Sequence, residues 1–364
     1  MTNFAGGIYP PFVTALRHGA VPDNIPVFSF HDVCVSGFES QLSYLASNGY
    51  ETVSAGEYLK LGGKSGGKRR VMLTFDDGRA SLWTVAAPLL KKYGMKGVAF
   101  VLPGEIKEAE SPRPQQEGIG GELLCTWPEI SAMRDVLDIQ SHSLTHMIMF
   151  ASTRLEMFYT PQLAKKWSLI DKPVMRQNEE DRLERDYPLG SPFYETDSRF
   201  SPNPRVFDPE DVRAACCRFV EENGGENFFR RDGWEAELQQ IHAGAVSKAK
   251  FILETEDERA AAMERAMGES KRIIEQKLQG HTVSHFCFPF GVGCDLAVDI
   301  AAKTGYGAVY WGTTPQGKSS GEWGNPSGVT RLKDDFVFRL PGEGRLSLLS
   351  IFAGKFLRRI GAGK

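Results

Sequence analysis

The sequence predicts an α/β fold, a distorted (β/α) barrel of seven or eight strands that carries one large insertion. Short apolar runs rich in β-forming residues alternate with helical patterns, and this alternation is typical of a parallel sheet with helices outside it. Seven or eight such units are enough to close a barrel. The alternation stops between about 151 and 255, where we expect the insertion.

The predicted strands are short and bounded by polar or glycine-containing segments. They are PVFSF (26–30), ETVS (51–54), VMLTF (71–75), GVAFVL (97–102), LDIQS (137–141), FCFPF (286–290), GAVYW (307–311) and GVTRL (328–332). Between them, FESQLSYLASNGY is a predicted helix that stops at Gly49, and LWTVAAPLLKKYG is another that Gly94 closes. Glycine after the last helical turn is a common stop signal.

The predicted boundaries divide the chain into five segments. Loops at the carboxyl ends of barrel strands carry specificity, so the insertion either covers the active site or is a solvent-facing decoration. The segments are an N-terminal lead-in (1–24), the first part of the barrel (25–150), the insertion (151–255), the second part of the barrel (256–340) and a basic amphipathic C-terminal tail (341–364).

Composition and charge exclude several classes of protein. The formal net charge of −3 lacks the basic excess of a nucleic-acid-binding protein, so we expect no nucleic-acid partner. The sequence contains no apolar stretch of about 18 residues, so we expect no membrane-spanning helix. The N-terminal sequence lacks the pattern of a secretory signal. The 6 cysteines form no CxxC pair, which favours free thiols in a reducing compartment. These observations predict a cytoplasmic protein.

The segment TFDDG, residues 74–78, is the strongest chemical signal. A buried apolar strand ends directly in Asp76 and Asp77, and Gly78 permits a sharp turn. Two adjacent carboxylates repel each other unless a proton, a metal or another cation lies nearby. The alternative interpretation is a simple strand-end turn in which one aspartate caps the next helix.

The segment SHSLTH, residues 141–146, also follows an apolar strand. His142 and His146 are four residues apart, so both imidazoles could face one ion if the chain turns helically. Such a pair alone is weak evidence, because His281 and His285 in HTVSH have the same spacing. The second pair precedes a strand, and we expect it at the opposite end of the barrel, away from the catalytic residues.

The two motifs in this order resemble those of the NodB-homology polysaccharide deacetylase family. The opening IPVFSFHDV and the late FCFPFG resemble further parts of the family pattern, and the resemblance covers roughly 25–150 and 256–312. It implies a distorted barrel, one divalent metal, most often Zn²⁺, and metal-dependent hydrolysis of an N-acetyl or similar acyl amide on an amino-sugar-containing saccharide. The long insertion falls outside the resemblance.

The resemblance also implies roles for individual residues. Asp77, His142 and His146 are the implied metal ligands, and Asp76 is the implied general base. One carboxylate and two imidazoles leave open coordination positions, as catalytic metal sites require. The backbone N–H of Phe290 is the implied donor to the oxyanion.

The third motif departs from the pattern of many relatives. They carry an arginine two residues before the proline, which tethers the catalytic acid, whereas this chain has Cys287 there. The tether is therefore absent or supplied elsewhere, and Arg331 is a candidate. We expect Pro289, Gly291, Trp311 and Arg331 to contact substrate, with ordinary core or surface roles as the alternatives.

The late histidine that serves as general acid in many relatives is also missing. Asp334, Asp335 or His31, which follows the first strand, could take this role. His31 lies at a strand end where barrel chemistry occurs, so we place it in the catalytic set. A hydrogen-bonded structural histidine is the alternative.

The C-terminal tail, RLSLLSIFAGKFLRRIGAGK, mixes large apolar and basic residues at helical spacing. It could lie on an anionic membrane surface or pack on the barrel as a closing helix. Membrane binding would make a lipid-linked saccharide an attractive substrate. No sequence feature indicates an oligomeric state.

Three functions are compatible with these patterns. The first is a deacetylase that acts on an acylated saccharide. The second is a barrel amidohydrolase on a non-sugar amide, for which the altered third and last motifs leave room. The third is a catalytically inactive carbohydrate-binding relative. The presence of all four motif residues argues against it: Asp76, Asp77, His142 and His146.

Overall fold

The computed structural model describes 9–15, 20–116, 123–166, 173, 187–312 and 328–359. The chain forms two compact units, and the predicted insertion falls within the second. The first unit comprises Met1–Ser143, Met267–Val292 and Ala301–Lys364, and the second comprises Leu144–Ala266 and Gly293–Ile300.

The barrel strands follow the predicted apolar runs, whereas the four strands between 148 and 253 lie where no strand was predicted. In chain order the strands are β1 (Val27–Phe30), β2 (Glu51–Thr52), β3 (Arg70–Phe75), β4 (Gly97–Val101), β5 (Leu137–Ser141), β6 (Ile148–Phe158), β7 (Pro192–Ser198), β8 (Val206–Phe207), β9 (Ile252–Leu253), β10 (His285–Cys287), β11 (Ala308–Trp311), β12 (Gly328–Thr330) and β13 (Leu332–Lys333).

The helices are α1 (Pro11–Thr14), α2 (Val35–Ser47), α3 (Ala55–Lys60), α4 (Ala87–Tyr93), α5 (Trp127–Ala132), α6 (Pro161–Lys166), α7 (Glu210–Glu222), α8 (Trp234–Val246), α9 (Glu256–Lys277), α10 (Asp295–Lys303) and α11 (Leu348–Arg359). Gly94 ends α4 with φ of 62°, as its sequence position predicts. None of the helices in the described ranges is long and apolar enough to cross a membrane.

The first unit is a nearly closed parallel barrel, which confirms the predicted fold. Eight strands follow the order β12-β11-β10-β5-β4-β3-β1-β13, and β2 pairs with β3 outside this path. The two ends of the path, β12 and β13, are consecutive segments that flank Arg331. The chain therefore crosses from the β11 side of the barrel to the β1 side at this residue.

Two predicted strands are altered by local chemistry. The run FCFPF is a strand only as far as Cys287, because Pro289 has no N–H to donate to a ladder and a single helical turn follows at Pro289–Gly291. The run GVTRL divides into β12 and β13 at Arg331.

The barrel core is apolar on the faces that point inward. Side chains from β3, β4, β10 and β11 form one buried cluster that includes Met72, Val98, Phe100, Cys287 and Tyr310. The strands β3 and β4 are buried almost throughout, which is why they read as continuous apolar runs in the sequence.

The second unit has its own apolar core. Antiparallel pairs join β6 to β7 and β8 to β9, and α7 packs against α8. Aromatic side chains fill this core, among them Phe150, Phe193 and Tyr194. A buried ion pair joins Arg199 to Glu254 within the same unit.

The pair His281 and His285 has a structural role at the amino end of β10. The Nε2 atom of His281 hydrogen-bonds with the carbonyl oxygen of Ile139, and His285 Nδ1 lies 3.2 Å from the Tyr310 hydroxyl. Burial lowers the pKa of His285 to about 4 from its usual 6.5. The side chain is therefore neutral at physiological pH.

We predict that His285 makes the protein sensitive to mild acid. The pKa of His285 is near 6.5 in the unfolded chain and about 4 in the folded chain. The free energy of unfolding therefore decreases as the pH falls from 6.5 to 4. The lost free energy of unfolding is about 3 kcal/mol. Urea unfolding of wild type and His285→Gln at pH 7.5, 6 and 5 should show a smaller loss in the variant. Parallel losses in both proteins would contradict this assignment.

Candidate active site

Unusual backbone geometry marks the three sequence motifs. Within the described ranges, the four non-glycine residues with positive φ are Asp77 (68°), Ser143 (75°), His146 (54°) and Phe290 (59°). Each of these conformations costs free energy, and such strain concentrates at functional sites. The fold therefore holds these residues in place against their local preference.

A cluster of metal-ligating atoms lies at the carboxyl ends of β3 and β5. Asp77, His142 and His146 each offer a ligand atom, and these atoms all lie within 4.8 Å of one another. All three residues are buried, and Asp77 Oδ1 is 3.5 Å from His142 Nε2. The spacing and the donor types fit one divalent cation.

Hydrogen bonds orient two of these ligands. The Nδ1 of His142 lies 2.8 Å from the carbonyl oxygen of Cys287, so Nδ1 carries the proton and the Nε2 lone pair faces Asp77. Arg79 donates from Nε and Nη2 to Asp77 Oδ2 at 2.8 Å and 2.7 Å, while Oδ1 faces His142. The residues present therefore fit a bound metal ion.

The electrostatics of the cluster favour a positive charge. Burial by itself would lower the pKa of His142, but the carboxylates of Asp76 and Asp77 outweigh it and raise that pKa well above its usual value. The site therefore stabilises positive charge at His142, which a divalent cation would supply.

A second possible ligand group fits a metal less well. Asp76, His142 and Cys287 also bring ligand atoms together. Burial raises the pKa of the Cys287 thiol, so the thiolate that a metal requires is disfavoured. Asp76 is already paired with Arg331. Asp77, His142 and His146 are therefore the better candidate ligands for a metal ion.

Arg331 holds Asp76 through two parallel hydrogen bonds. Its Nη1 and Nη2 donate to Asp76 Oδ1 and Oδ2 at 2.6 Å and 2.8 Å. The guanidinium is oriented in turn by the carbonyl oxygen of Trp311 at 3.0 Å and by Thr74 Oγ1 at 3.1 Å. Burial would raise the pKa of Asp76, but Arg331 outweighs it and lowers that pKa, so the carboxylate stays ionised.

The tether that the third motif lacks is thus made by Arg331. Cys287 lies beside the same carboxylate, with Sγ 3.8 Å from Asp76 Oδ1, but it carries no guanidinium. Arg331 is only 2% exposed and bonds Asp76, Thr74 and Trp311. These contacts favour positioning of Asp76, while the predicted substrate contact of Arg331 stays a prediction.

The third motif forms a tight loop beside the site. Pro289 and Gly291 are buried, whereas Phe290 is 45% exposed. A Cβ atom on Gly291 would lie 2.4 Å from the Cα of Gly312, so the two backbones pass too closely for any side chain there. The ring of Trp311 is 4.6 Å from that of Phe288 and is buried against it. Substrate contacts of these residues stay predictions.

His31 lies at the open side of the pair formed by Asp76 and Arg331. Its Nε2 is 3.9 Å from Asp76 Oδ2, and its side chain is 57% exposed. The structure therefore brings His31 to Asp76 as its position after β1 predicts. Asp334 and Asp335 follow β13, where Asp335 pairs with Lys355 at 3.4 Å.

Sequence reasoning missed two contributors to the site. Arg79 follows Asp77 by two residues in TFDDGR. A basic residue this close to two adjacent acids could have been predicted to pair with one of them. The backbone carbonyl oxygen of Cys287 orients His142 through a hydrogen bond, and no sequence pattern predicts this contact.

The fold and the site define a class: a parallel α/β barrel with a carboxylate–histidine metal cluster at the carboxyl ends of its strands. Residues 63–171 match the family model described as polysaccharide deacetylase. With the similar proteins described next, this match supports the resemblance to the NodB-homology polysaccharide deacetylase family that the motifs indicate.

Two curated relatives share part of the sequence. YxkH of Bacillus subtilis strain 168, whose name assigns it to the polysaccharide deacetylases, is 26% identical over 179 residues, covering 44% of this chain and 60% of that protein. The poly-β-1,6-N-acetyl-D-glucosamine N-deacetylase of Escherichia coli K12 is 28% identical over 141 residues, covering 36% of this chain and 20% of that enzyme. The chain therefore spans less than two thirds of either relative.

Two solved structures share the fold. A de-N-acetylase from Aggregatibacter actinomycetemcomitans is 16% identical, with a TM-score of 0.50 over 91% of this chain and 99% of that one. The BpsB deacetylase domain from Bordetella bronchiseptica is 15% identical, with a TM-score of 0.51 over 85% of this chain and 96% of that one.

Metal analysis tests the ligand assignment. We predict about one divalent ion per chain in wild type and a near-complete loss in His142→Ala, because one of three ligands is removed. The variant His281→Ala is the matched control, since it alters the other HxxxH pair and should retain the ion. Equal metal content in both variants would contradict the assignment.

Replacement of Arg331 tests the tether. The variant Arg331→Lys keeps the charge but loses the paired geometry, so we expect kcat to fall by about 10- to 100-fold while KM and metal content change little. Arg272→Lys, at an exposed ion pair on α9, is the control and should behave as wild type. An unchanged kcat in Arg331→Lys would rule out a positioning role.

Proposed function

We propose that this chain is a metal-dependent deacetylase that removes the N-acetyl group from an amino-sugar-containing saccharide. The observation that carries the proposal is the buried Asp76–Arg331 pair directly beside the cluster of Asp77, His142 and His146. An ionised base next to a metal site is the arrangement that amide hydrolysis requires. The match to the polysaccharide deacetylase family model and the name of the E. coli relative support a saccharide substrate.

Asp77, His142 and His146 would hold the cation, and we propose zinc because imidazole and carboxylate suit it. When bound, it would polarise the amide carbonyl and make an attacking water more acidic. The hydrogen bonds from Arg79 to Asp77 and between His142 and Cys287 fix the ligand orientations in advance. Little reorganisation is therefore needed when substrate arrives.

Asp76 accepts the proton of the attacking water in this mechanism. Arg331 keeps the carboxylate ionised and fixes its orientation, so the base is ready at neutral pH. The backbone N–H of Phe290 is the proposed donor to the oxyanion that forms as water adds to the amide carbon. The carbon–nitrogen bond then breaks, acetate leaves and the sugar amine takes a proton.

His31 is the proposed proton donor to the departing amine. It lies at the exposed edge of the site, with Nε2 3.9 Å from Asp76 Oδ2. Asp335 is less suitable because it pairs with Lys355, and Asp334 accepts a hydrogen bond from Gln41. The exposure of His31 and its position beside Asp76 support this role.

Two alternatives receive less support. The hypothesis of an inactive carbohydrate-binding relative rested on the missing tether and the missing late histidine. Arg331 makes the tether contact to Asp76, and His31 is the residue we propose in place of the late histidine. A barrel amidohydrolase on a non-sugar amide would use the same residues, but the relatives named for their substrate act on a polysaccharide.

A cytoplasmic location and a peripheral membrane contact are further parts of the proposal. The helix α11 exposes Leu349 (81%) and Phe352 (50%), which supports a surface that could meet a membrane or a lipid-linked saccharide. The side chains of 356–359 and the residues 360–364, which include two residues of the predicted apolar face, lie outside the described part of the chain.

The variant Asp76→Asn tests the mechanism. It removes the base but retains all three metal ligands, so we expect acetate release from N-acetylated saccharides to fall by about 100-fold or more with metal content unchanged. Acetate assays on N-acetylglucosamine oligomers and on small acyl amides would also separate sugar from non-sugar substrates. Full activity in Asp76→Asn would mean that another group is the base.

A further inference from the structure

The chain between the two histidines of the second motif is not helical. Residues 142–147 have irregular backbone, although the spacing of His142 and His146 would also suit a helical turn. Ser143 instead has a φ of 75°, and His146 has a φ of 54°. Both angles lie in the left-handed region, which costs free energy for a residue with a side chain. The convergence of the two imidazoles therefore depends on contacts that hold this backbone in place.

A ring of hydrogen bonds holds Ser143 from both sides. The hydroxyl of Ser270, on α9, donates to the carbonyl oxygen of Ser143 at 3.2 Å, and the Ser143 N–H donates to Ser141 Oγ at 3.3 Å. The Oγ atoms of Ser141 and Ser270 are 2.6 Å apart. Since the single hydroxyl proton of Ser270 points to Ser143, the Ser141 hydroxyl donates to Ser270. The two hydroxyls and the backbone of Ser143 thus each donate once and accept once.

The ring of three serines is excluded from solvent. Ser141 and Ser270 are 0% exposed, and Ser143 is 1% exposed. In such an interior, water does not replace a lost hydrogen bond, so each bond of the ring contributes more than it would at the surface. Removal of the Ser270 hydroxyl would take a donor from the carbonyl oxygen of Ser143 and an acceptor from the hydroxyl of Ser141.

Ser270 is a polar residue on an apolar face of α9. Met267 and Ile274 lie three residues before it and four residues after it, and both are fully buried. The Tyr306 hydroxyl donates to the carbonyl oxygen of Met267 at 2.9 Å, which fixes this part of the helix. A hydroxyl on such a face costs free energy unless it is hydrogen-bonded. The bonds of Ser270 to the end of β5 compensate this cost, whereas packing alone would favour an apolar side chain.

The ring completes the support of the first histidine ligand. The His142 N–H donates to the carbonyl oxygen of Val101 at 2.9 Å, and Nδ1 is hydrogen-bonded with the carbonyl oxygen of Cys287. Ser143 is the next residue, and its two peptide groups are bonded within the ring. The ring therefore sets the direction in which the chain leaves His142 toward His146.

We propose that Ser270 is a positioning residue for the metal site. Its hydroxyl holds the left-handed backbone of Ser143 and so fixes how His142 and His146 present their ligand atoms. This inference rests on the proposed metal-dependent function. It adds a residue from α9, outside the sequence motifs that identify the candidate ligands.

The affinity for zinc tests this role. Competition with a chromophoric chelator gives the Kd of Zn²⁺ for wild type, Ser270→Ala and Ser65→Ala. We expect Kd to rise by about 10- to 100-fold in Ser270→Ala, as is typical when a group that orients a metal ligand is lost.

Ser65→Ala is the matched control for this measurement. Ser65 is 1% exposed, belongs to the same unit, and its hydroxyl also donates to a backbone carbonyl, that of Pro22, at 2.6 Å. A general loss of stability would affect both variants, whereas we expect Ser65→Ala to bind zinc as wild type does. An equal Kd in Ser270→Ala and Ser65→Ala would overturn the proposal.

The variant Ser270→Cys keeps the test valid if Ser270→Ala does not fold. A thiol fills nearly the same space as the hydroxyl but is a weaker hydrogen-bond donor. We expect a folded protein with a raised Kd for zinc. Wild-type affinity in Ser270→Cys would show that the hydroxyl is not needed and would contradict the positioning role.

Hydrogen exchange separates the failure of this inference from the failure of the proposed function. Amide exchange across 141–147, measured by mass spectrometry on metal-free protein, requires neither zinc nor substrate. Ser270→Ala should speed exchange in this segment by about 10-fold, because the ring is broken, while Ser65→Ala should not.

The two measurements together assign each outcome to one idea. If wild type binds no zinc but Ser270→Ala still loosens 141–147, the hold of Ser270 on this segment is supported and the metal-dependent function is wrong. If wild type binds zinc and releases acetate while Ser270→Ala changes neither Kd nor local exchange, the deacetylase is supported and the role of Ser270 is wrong.

Discussion

The ion pair between Asp76 and Arg331 is the constraint on which the site depends. Asp76 and Asp77 are adjacent and buried, so each needs its own positive partner. Arg331 pairs with Asp76. Asp77 instead accepts hydrogen bonds from Arg79 at Oδ2 and faces His142 with Oδ1. Removal of one partner from such a buried pair typically costs about 3–5 kcal/mol, because the remaining charge is left buried without a partner.

Arg331 lies where the barrel closes and also bonds Asp76 in the candidate active site. Arg331 lies between the two short strands that form the ends of the sheet path, where the chain passes from β11 to β1. Its guanidinium therefore reaches Asp76 from a strand other than β10, which carries Cys287 at the usual tether position. The tether that the third motif lacks therefore comes from another part of the barrel.

The segment that follows β1 reaches the partners of both carboxylates. His31 Nε2 lies 3.9 Å from Asp76 Oδ2, and Oδ2 of its sequence neighbour Asp32 lies 3.9 Å from Nη1 of Arg79, which bonds Asp77. One short segment at the rim of the barrel therefore contacts both sides of the site.

The sequence by itself determined the barrel strands and the positions of the two metal motifs, because burial on both faces leaves continuous apolar runs and catalytic residues follow strand ends. It left open which residue tethers Asp76, because Asp76 and Arg331 are 255 positions apart and meet only when the barrel closes. Tertiary structure also decided the orientation of His142 through a backbone carbonyl. Local patterns encode secondary structure, whereas these contacts depend on which strands become neighbours.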